Sequence, residues 1–331
     1  MSDSDPVQEL MQNVGELVEA GHVDEALSVC DQAIEQDANF AYAWYAKGCL
    51  LGQFLENPQE AAECFLKATQ AAPDSPTPWY NLAITLQDLG EVDESLRCFD
   101  VCIRLDPENS DAWFNKGAIL DGQHKHKLAI ECYDEALKHS PDDVDAWAKR
   151  GDSFRDLGLH DEALESYEQA LERDPNNLMA LSGTGEILCL EDEHEEALGY
   201  LEDCVDLYPG HAPAWCQLAI VHSRQGDQES ALDAIEVSLE IDQTAEQWSN
   251  KGEILSQMDR WEESIQCFDQ SMFMTDDYPP AKYGKARSLM KLERFAEAKP
   301  LWEQLLTLEN APSQLLETAE KMLQKCRENE G

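Results

Sequence analysis

Residues 144–177 read VDAWAKRGDSFRDLGLHDEALESYEQALERDPNN, and this stretch decides the fold. Trp147, Gly151, Phe154 and Gly158 follow one another at steps of four, three and four, which places them on one helix face. After Gly158 a second apolar pattern begins with Ala163, Tyr167, Ala170 and Leu171. Asp174-Pro175 ends it, because proline disfavours the helical conformation in the residue before it. The stretch is therefore two short helices, each about 18 Å long, with a turn near Gly158 and a stop at the proline. Small Gly151 and Ala163 let the helices approach, and Trp147, Phe154 and Tyr167 fill the space around them. Trp147 is expected to lie buried between its own helix pair and the neighbouring one.

The pattern recurs. Trp44, Trp79, Trp113 and Trp147 are separated by 35, 34 and 34 residues, and Leu181, Trp215 and Trp248 continue at 34, 34 and 33. Pro73, Pro107, Pro141, Pro175 and Pro209 keep the same 34-residue beat. Two residue types on one shared period mark a tandem array, in which each unit buries its apolar face against the next.

The repeating unit resembles that of the tetratricopeptide repeat family, which carries Trp, Leu-Gly, Tyr, Gly, Ala, an aromatic, Ala and Pro in this order. The clearest units are 76–109 (Trp79, Leu82-Ala83, Leu86, Gly90, Phe99, Pro107), 110–143 (Trp113, Gly117, Leu120, Ala129, Tyr133, Ala136, Pro141) and 144–177. Further units fall at 7–40, 41–75, 178–211, 212–244, 245–278 and 279–312, nine in all. The first has Leu10 for Trp and Ala38 for Pro, and the second carries an extra residue near Asn57-Pro58. The ninth has Lys282 in the Trp slot and Ala286 in the Gly slot, so the core is expected to be thinner and wetter there. Atypical terminal repeats are the rule in such arrays, because one face meets water. Beyond them Leu315, Ala319, Met322 and Cys326 form an apolar stripe opposite Glu317, Glu320, Lys321, Gln324 and Lys325, an amphipathic capping helix within 313–331. Residues 1–6 are expected to be flexible. The expected fold is all-α, a right-handed superhelical α-solenoid of about nine tandem helix–turn–helix repeats with a C-terminal capping helix.

The 331 residues hold 24 Lys and Arg against 68 Asp and Glu, a formal net charge of −44, yet 43% of them are apolar. That content suffices for a core if it falls on one face. The acidity bears on partners: phosphates and anionic membranes are repelled, while basic proteins and cations are attracted. The same acidity equally suits a solubilising or salt-adapted surface. Residues 1–46 contain ten acids and no Lys or Arg, residues 174–250 contain seventeen acids against Arg224 alone, and residues 281–331 contain nine bases and eight acids. The start Met1-Ser2-Asp3-Ser4-Asp5-Pro6 has no basic residue and no apolar core, so no signal peptide is expected, and no apolar run approaches a membrane span. The expected compartment is the cytoplasm. None of the eleven Cys forms a Cys-x-x-Cys pair; Cys64, Cys98, Cys132 and Cys267 each precede an aromatic and read as small hydrophobes beside the core stripe.

No motif for chemistry stands outside the repeat pattern. His124-Lys125-His126 lies at an inter-helix tip beside Lys127 and reads as a solvated turn rather than a metal site. Gly183-Thr184-Gly185 has no preceding strand, and Gly185 falls on the slot of Gly117 and Gly151, so it reads as a repeat position rather than a phosphate loop. Residues 191–196 are a charge run at another turn. No carboxylate pair is singled out as acid and base. The chain is expected to be a scaffold without catalysis, cofactor or metal.

The family resemblance implies that the first helix of each unit lines a concave groove that takes peptides. The residue after the Trp slot and the residue four further on then face the groove: Tyr45 and Cys49, Tyr80 and Ile84, Phe114 and Ala118, Ala148 and Asp152. Tyr45, Tyr80 and Phe114, with Tyr42 beside them, are read in two ways, as anchors for an extended peptide or as ordinary repeat filling. Some family members clamp a C-terminal carboxylate with Lys, Asn, Asn, Lys and Arg. The matching places here are Tyr45, Cys49, Asn81, Asp111 and Asn115, where only Asn81 fits and the cations are missing, so the resemblance disfavours that clamp. Lys282, Lys285, Arg287, Lys291 and Arg294 crowd the ninth unit. They are read as a solvated terminal helix or as an acceptor for a carboxylate, with Arg287 orienting it and Lys291 adding charge. A weak head-to-tail self-association through the acidic first unit is a variant of the second reading. The expected partners are other proteins or peptides, basic ones among them, with no nucleic acid and no membrane. The alternative reading is an acidic chaperone or nucleic-acid mimic that holds basic proteins electrostatically.

Overall fold

Every apolar pattern of the sequence becomes a helix. The computed structural model describes residues 6–275, 278–308 and 313–329, and these residues form nineteen α-helices and no strand. The chain divides into two compact units, Met1–Ser166 and Tyr167–Gly331. The first contains α1 (Pro6–Glu19), α2 (Val23–Gln36), α3 (Ala41–Phe54), α4 (Pro58–Ala71), α5 (Pro76–Asp88), α6 (Val92–Leu105), α7 (Ser110–Gly122), α8 (His126–His139) and α9 (Val144–Asp156). The chain passes into the second within α10 (His160–Arg173). There follow α11 (Leu178–Leu190), α12 (His194–Leu207), α13 (Ala212–Gln225), α14 (Gln228–Ile241), α15 (Ala245–Gln257), α16 (Trp261–Met274), α17 (Pro279–Lys291), α18 (Phe295–Leu305) and α19 (Ser313–Asn329). Of the segment 1–6, residues 1–5 lie outside the described residues and Pro6 opens α1. Residues 276–277, 309–312 and 330–331, which fall in the eighth and ninth repeats and the tail, also lie outside them.

The helix ends have local causes. Within each pair the chain turns at one left-handed residue. Gly158 takes it with φ 72°, and His124 and Asp192 occupy the same place with φ 57° and 63° despite their side chains. Between pairs, Asn109, Asp143 and Asn177 stand two residues after a proline. Each side-chain oxygen accepts a backbone N–H of the next helix, which caps it.

The core is filled from the second helix of each pair. Phe65, Phe99, Tyr133, Tyr167, Leu201, Phe268 and Trp302 are buried. They press on small residues of the first helices. A Cβ added to Gly48 would stand 2.7 Å from the Phe65 ring, one on Gly117 2.8 Å from Tyr133, and one on Gly185 2.6 Å from Leu201. Gly185 is thus the packing slot that the sequence implies.

Two expectations about the core are corrected. Trp147 is half-buried rather than buried: its indole donates to the Pro141 carbonyl at 2.9 Å, and the Arg150 guanidinium lies 5.5 Å from the ring centre. Trp79, Trp113 and Trp215 make the same bond to Pro73, Pro107 and Pro209, at 3.1, 3.0 and 2.9 Å. The Trp slot straps the first helix to the preceding turn, and Trp44 makes the same bond to the Ala38 carbonyl at 2.9 Å. Lys282 takes that slot in the ninth unit, and the core there is filled from the second helix. Trp302 fills it, fully buried and edge-on to Tyr283 at 5.6 Å. The cap α19 buries Ala319, Leu323 and Cys326 against α18, with Met322 half-buried beside them. Leu323 joins the expected stripe.

Candidate functional site

In the first unit, the first-helix surface is organised by the core beneath it. Tyr45, Tyr80 and Phe114 are half-buried, each stacked against the core aromatic of its own pair: Phe65 at 5.9 Å, Phe99 at 6.0 Å and Tyr133 at 5.8 Å. Their positions are set by these stacks. Burial pushes the Tyr45 hydroxyl up to about 12, helped by its hydrogen bond with Cys49, and burial also raises Tyr80. Tyr42 is 53% exposed, with its ring 6.4 Å from Tyr45. Ile84 is half-buried beside the same cluster.

A contact not foreseen from the sequence links successive pairs. Asn115 Nδ2 donates to the Tyr80 hydroxyl at 3.2 Å and to the Asp111 carbonyl at 2.8 Å. Asn81 occupies the equivalent place beside Tyr45, whose pKa it lowers against the effect of burial, and donates to the Thr77 carbonyl at 3.0 Å. In the second unit Asn250 Nδ2 donates to Cys216 Sγ at 3.4 Å. The signal was an Asn two residues after Trp79, Trp113 and Trp248. Each reaches the residue that follows the Trp slot of the preceding repeat.

The ridge stops after Phe114. Ala148 is fully buried, and Asp152, 15% exposed, stands between Lys149 at 3.6 Å and Arg155 at 3.5 Å. The structure thus sets Tyr45, Tyr80 and Ile84 against one core cluster, with Tyr42 beside Tyr45, sets Phe114 against a second cluster, and holds Asp152 in ion pairs.

The second unit has a cavity of about 410 Å³ among α13, α15 and α17, lined by Ile220, Arg224, Asn250, Glu253, Tyr283 and Arg287. Arg287 lies 3.3 Å from Glu253 and 5.6 Å from the centre of the Tyr283 ring. Lys291 does not join it; its ammonium lies over Trp261 at 5.5 Å. Arg224 is a lining cation that the sequence reading passed over. His126 is also placed differently from expectation. The turn is made by His124, so His126 opens α8, 12% exposed, with Nδ1 2.8 Å from Asp121 and 3.9 Å from Asp156. It is a partly buried pair rather than a solvated turn. Among the described residues no group of three or more His, Cys, Asp or Glu is arranged to hold a metal.

The helix pairs, the recurring Trp–Pro bond and the Gly–aromatic contacts agree with what sequence comparison finds. Two profiles of the tetratricopeptide repeat match residues 41–75 and, in overlapping blocks, 80–144, 119–177 and 148–212, together about half of the chain. The chain belongs to the tetratricopeptide repeat family. No curated protein matches it. Among solved structures, the APC/C hetero-tetramer Cut9–Hcn1 aligns over 97% of this chain and 76% of its own, with TM-score 0.62 and 14% identity. The C-terminal part of a TPR repeat-containing protein from Cytophaga hutchinsonii aligns over 70% of this chain and 95% of its own, with TM-score 0.58 and 15% identity. These likenesses concern the fold. YrrB, described as a TPR protein with an unusual peptide-binding site, is 24% identical over 55% of this chain and 93% of its own, with TM-score 0.48. No helix among the described residues of this TPR chain is long and apolar enough to cross a membrane.

Proposed function

We propose that this TPR protein is a non-catalytic scaffold that binds extended protein segments along the first-helix face of the Met1–Ser166 unit. Residues 7–312 are taken as nine repeats with the boundaries given above, and 313–331 as the cap. One observation carries the reading: Tyr45, Tyr80 and Phe114 repeat in one structural position, with Asn81 and Asn115 between them. The aromatics offer rigid apolar contact. The amide nitrogens are already bound to Tyr hydroxyls and backbone carbonyls, which leaves each Oδ1 free to accept a peptide N–H. The Asn81→Ala/Asn115→Ala variant leaves the aromatic stacks in place and is expected to keep its circular dichroism spectrum. Partner capture from native lysate should fall roughly tenfold, the loss of two net hydrogen bonds. Unchanged capture would refute this reading.

In the second unit, Arg287 with Arg224 offers a carboxylate acceptor, and Lys291 adds charge from outside the cavity. Weak head-to-tail self-association would use the same cations. Sedimentation of an Arg287→Glu/Lys291→Glu variant at low salt should show less association than the parent, and equal association excludes it.

The net charge of −44 supports the second reading, in which basic proteins are held by exposed acids. Salt separates the two. Raising ionic strength from about 0.01 to about 0.15 M shortens the screening length from about 30 Å to about 8 Å. Partners held on the aromatic and amide face should stay bound across this range, and partners held by surface charge should elute. None of the eleven cysteines is in a disulfide, and burial pushes most of their thiols up to about 11, as at Cys98 and Cys204. Protonated, buried thiols suit a cytoplasmic protein.

A further inference from the structure

A different face of the second unit carries a cavity of about 770 Å³ among α14, α15 and α16, lined by Glu236, Trp248, Leu255, Glu263, Asp269 and Phe273, among others. Three features coincide there. Phe273 is 85% exposed, a large apolar side chain left in water at the edge of a cavity.

The second feature is Trp248. Tryptophans 44, 79, 113, 147 and 215 each donate their indole N–H to the carbonyl six residues earlier. The unit before Trp248 is one residue short and ends without proline, and Asp242, six residues earlier, is extended at φ −146° and ψ 155°. Among the described residues nothing accepts the Trp248 indole N–H, although the ring is half-buried and lines the cavity. It is a hydrogen-bond donor without the carbonyl partner that the other five tryptophans have.

The third feature is charge. Glu229, Asp233, Glu236 and Glu240 follow at steps of four, three and four along one exposed face of α14. The charges of the cavity lining pair off: Glu236 with Lys251 at 2.7 Å, Glu263 with Arg260 at 2.7 Å, and Asp269 with Lys285. Asp233 and Glu240 make no ion pair among the described residues. The excess negative charge lies beside the cavity rather than in its lining, on the exposed face of α14 that Glu236 shares with Asp233 and Glu240. Nucleic acid and anionic membranes are repelled from it, and a cationic partner is attracted.

We infer that this cavity docks a basic amphipathic helix of a partner protein. An apolar side chain of the helix enters between Trp248 and Phe273. Its Lys or Arg residues meet Asp233 and Glu240. One of the carbonyls left unpaired in its last turn accepts the Trp248 indole N–H, and that turn is also where helices favour cations. The surface is separate from the first-helix face and does not depend on it.

The test uses the full chain and a fluorescein-labelled amphipathic helix of Leu and Lys, followed by anisotropy at physiological salt. Phe273→Ala removes an exposed ring and should leave the melting curve unchanged while weakening binding roughly tenfold or more. Asp233→Lys/Glu240→Lys should weaken it comparably. Glu16→Lys/Glu19→Lys on α1 and Asn81→Ala/Asn115→Ala should not. The indole N–H resonance of Trp248, assigned by a Trp248→Phe variant, should shift when the peptide is added. Absence of binding, binding indifferent to Phe273→Ala, or an equal loss with Glu16→Lys/Glu19→Lys overturns the inference. The last outcome leaves only general attraction to a polyanion.

Discussion

Phe99→Ala is expected to destabilise the first unit by about 3–5 kcal/mol, the range for deleting a fully buried aromatic, while Trp147→Ala costs roughly 1–2 kcal/mol. The two side chains are of similar size and recur with the same period, but they do different work. Phe99 is fully buried on α6, edge-on to Tyr80 at 6.0 Å and in one cluster with Leu82, Cys102 and Ile103. Its removal opens a void that helices on both sides must span. Trp147 is half-buried, and its removal loses one hydrogen bond to Pro141, the contact with Arg150 and part of its apolar area. In an array whose repeats contact only their neighbours, the Phe99 variant should also melt in a broader transition, because the repeats around α6 open first. Urea denaturation followed by circular dichroism measures both. Equal losses for the two variants would mean that the Trp slot is core after all.

This difference shows what could be read from the chain. The period was legible because a bond accompanies it: the indoles of Trp79, Trp113, Trp147 and Trp215 reach the carbonyl of a Pro six residues earlier, and that of Trp44 the carbonyl of Ala38. Which position faces the core was not legible. A Trp at a fixed place looks like a core residue, whereas the position that fills the core varies from Phe99 and Tyr133 to Leu201 and Trp302. The error propagated to the ninth unit. Lys282 takes a slot that lies at the edge of the core, where other units pack a partly buried Trp, and Trp302 supplies the fully buried volume of the ninth unit.

The candidate site was half legible for related reasons. Tyr45, Tyr80 and Phe114 announce themselves by sharing a slot. Asn81 and Asn115 acquire meaning only when one pair packs on the next, since each amide reaches the hydroxyl of the preceding repeat. Spacing put Arg287 and Lys291 on one helix face. Glu253 and Tyr283 draw the first into the cavity, and the Trp261 ring holds the second outside it. Spacing along one helix carries no information about the partners that neighbouring helices bring.

Gly284→Val is expected to cost about 3 kcal/mol, the upper end for overpacking. Phe268, 1% exposed, lies between two glycines, Gly252 of its own pair and Gly284 of the next. A Cβ on Gly252 would stand 2.7 Å from Phe268 Cε1, and one on Gly284 would stand 2.7 Å from Cε2 and nearer still to Cζ. The ring cannot yield to one side without striking the other. Valine at 284 therefore has to separate α17 from α16, which exposes the core that Trp302 and α19 close. On helix propensity alone the same change should help slightly, since glycine is the poorest ordinary residue in a helix interior. Gly199 in α12 supplies that control: a Cβ there meets nothing within 4 Å, so Gly199→Val should change stability by no more than about 0.5 kcal/mol. The double variant Gly284→Val/Phe268→Ala should be more stable than the sum of its single losses, because the valine enters the space the ring has left. Thermal or urea unfolding of the four proteins closes the cycle. Strict additivity would show that the loss at Gly284 comes from somewhere other than the Phe268 ring.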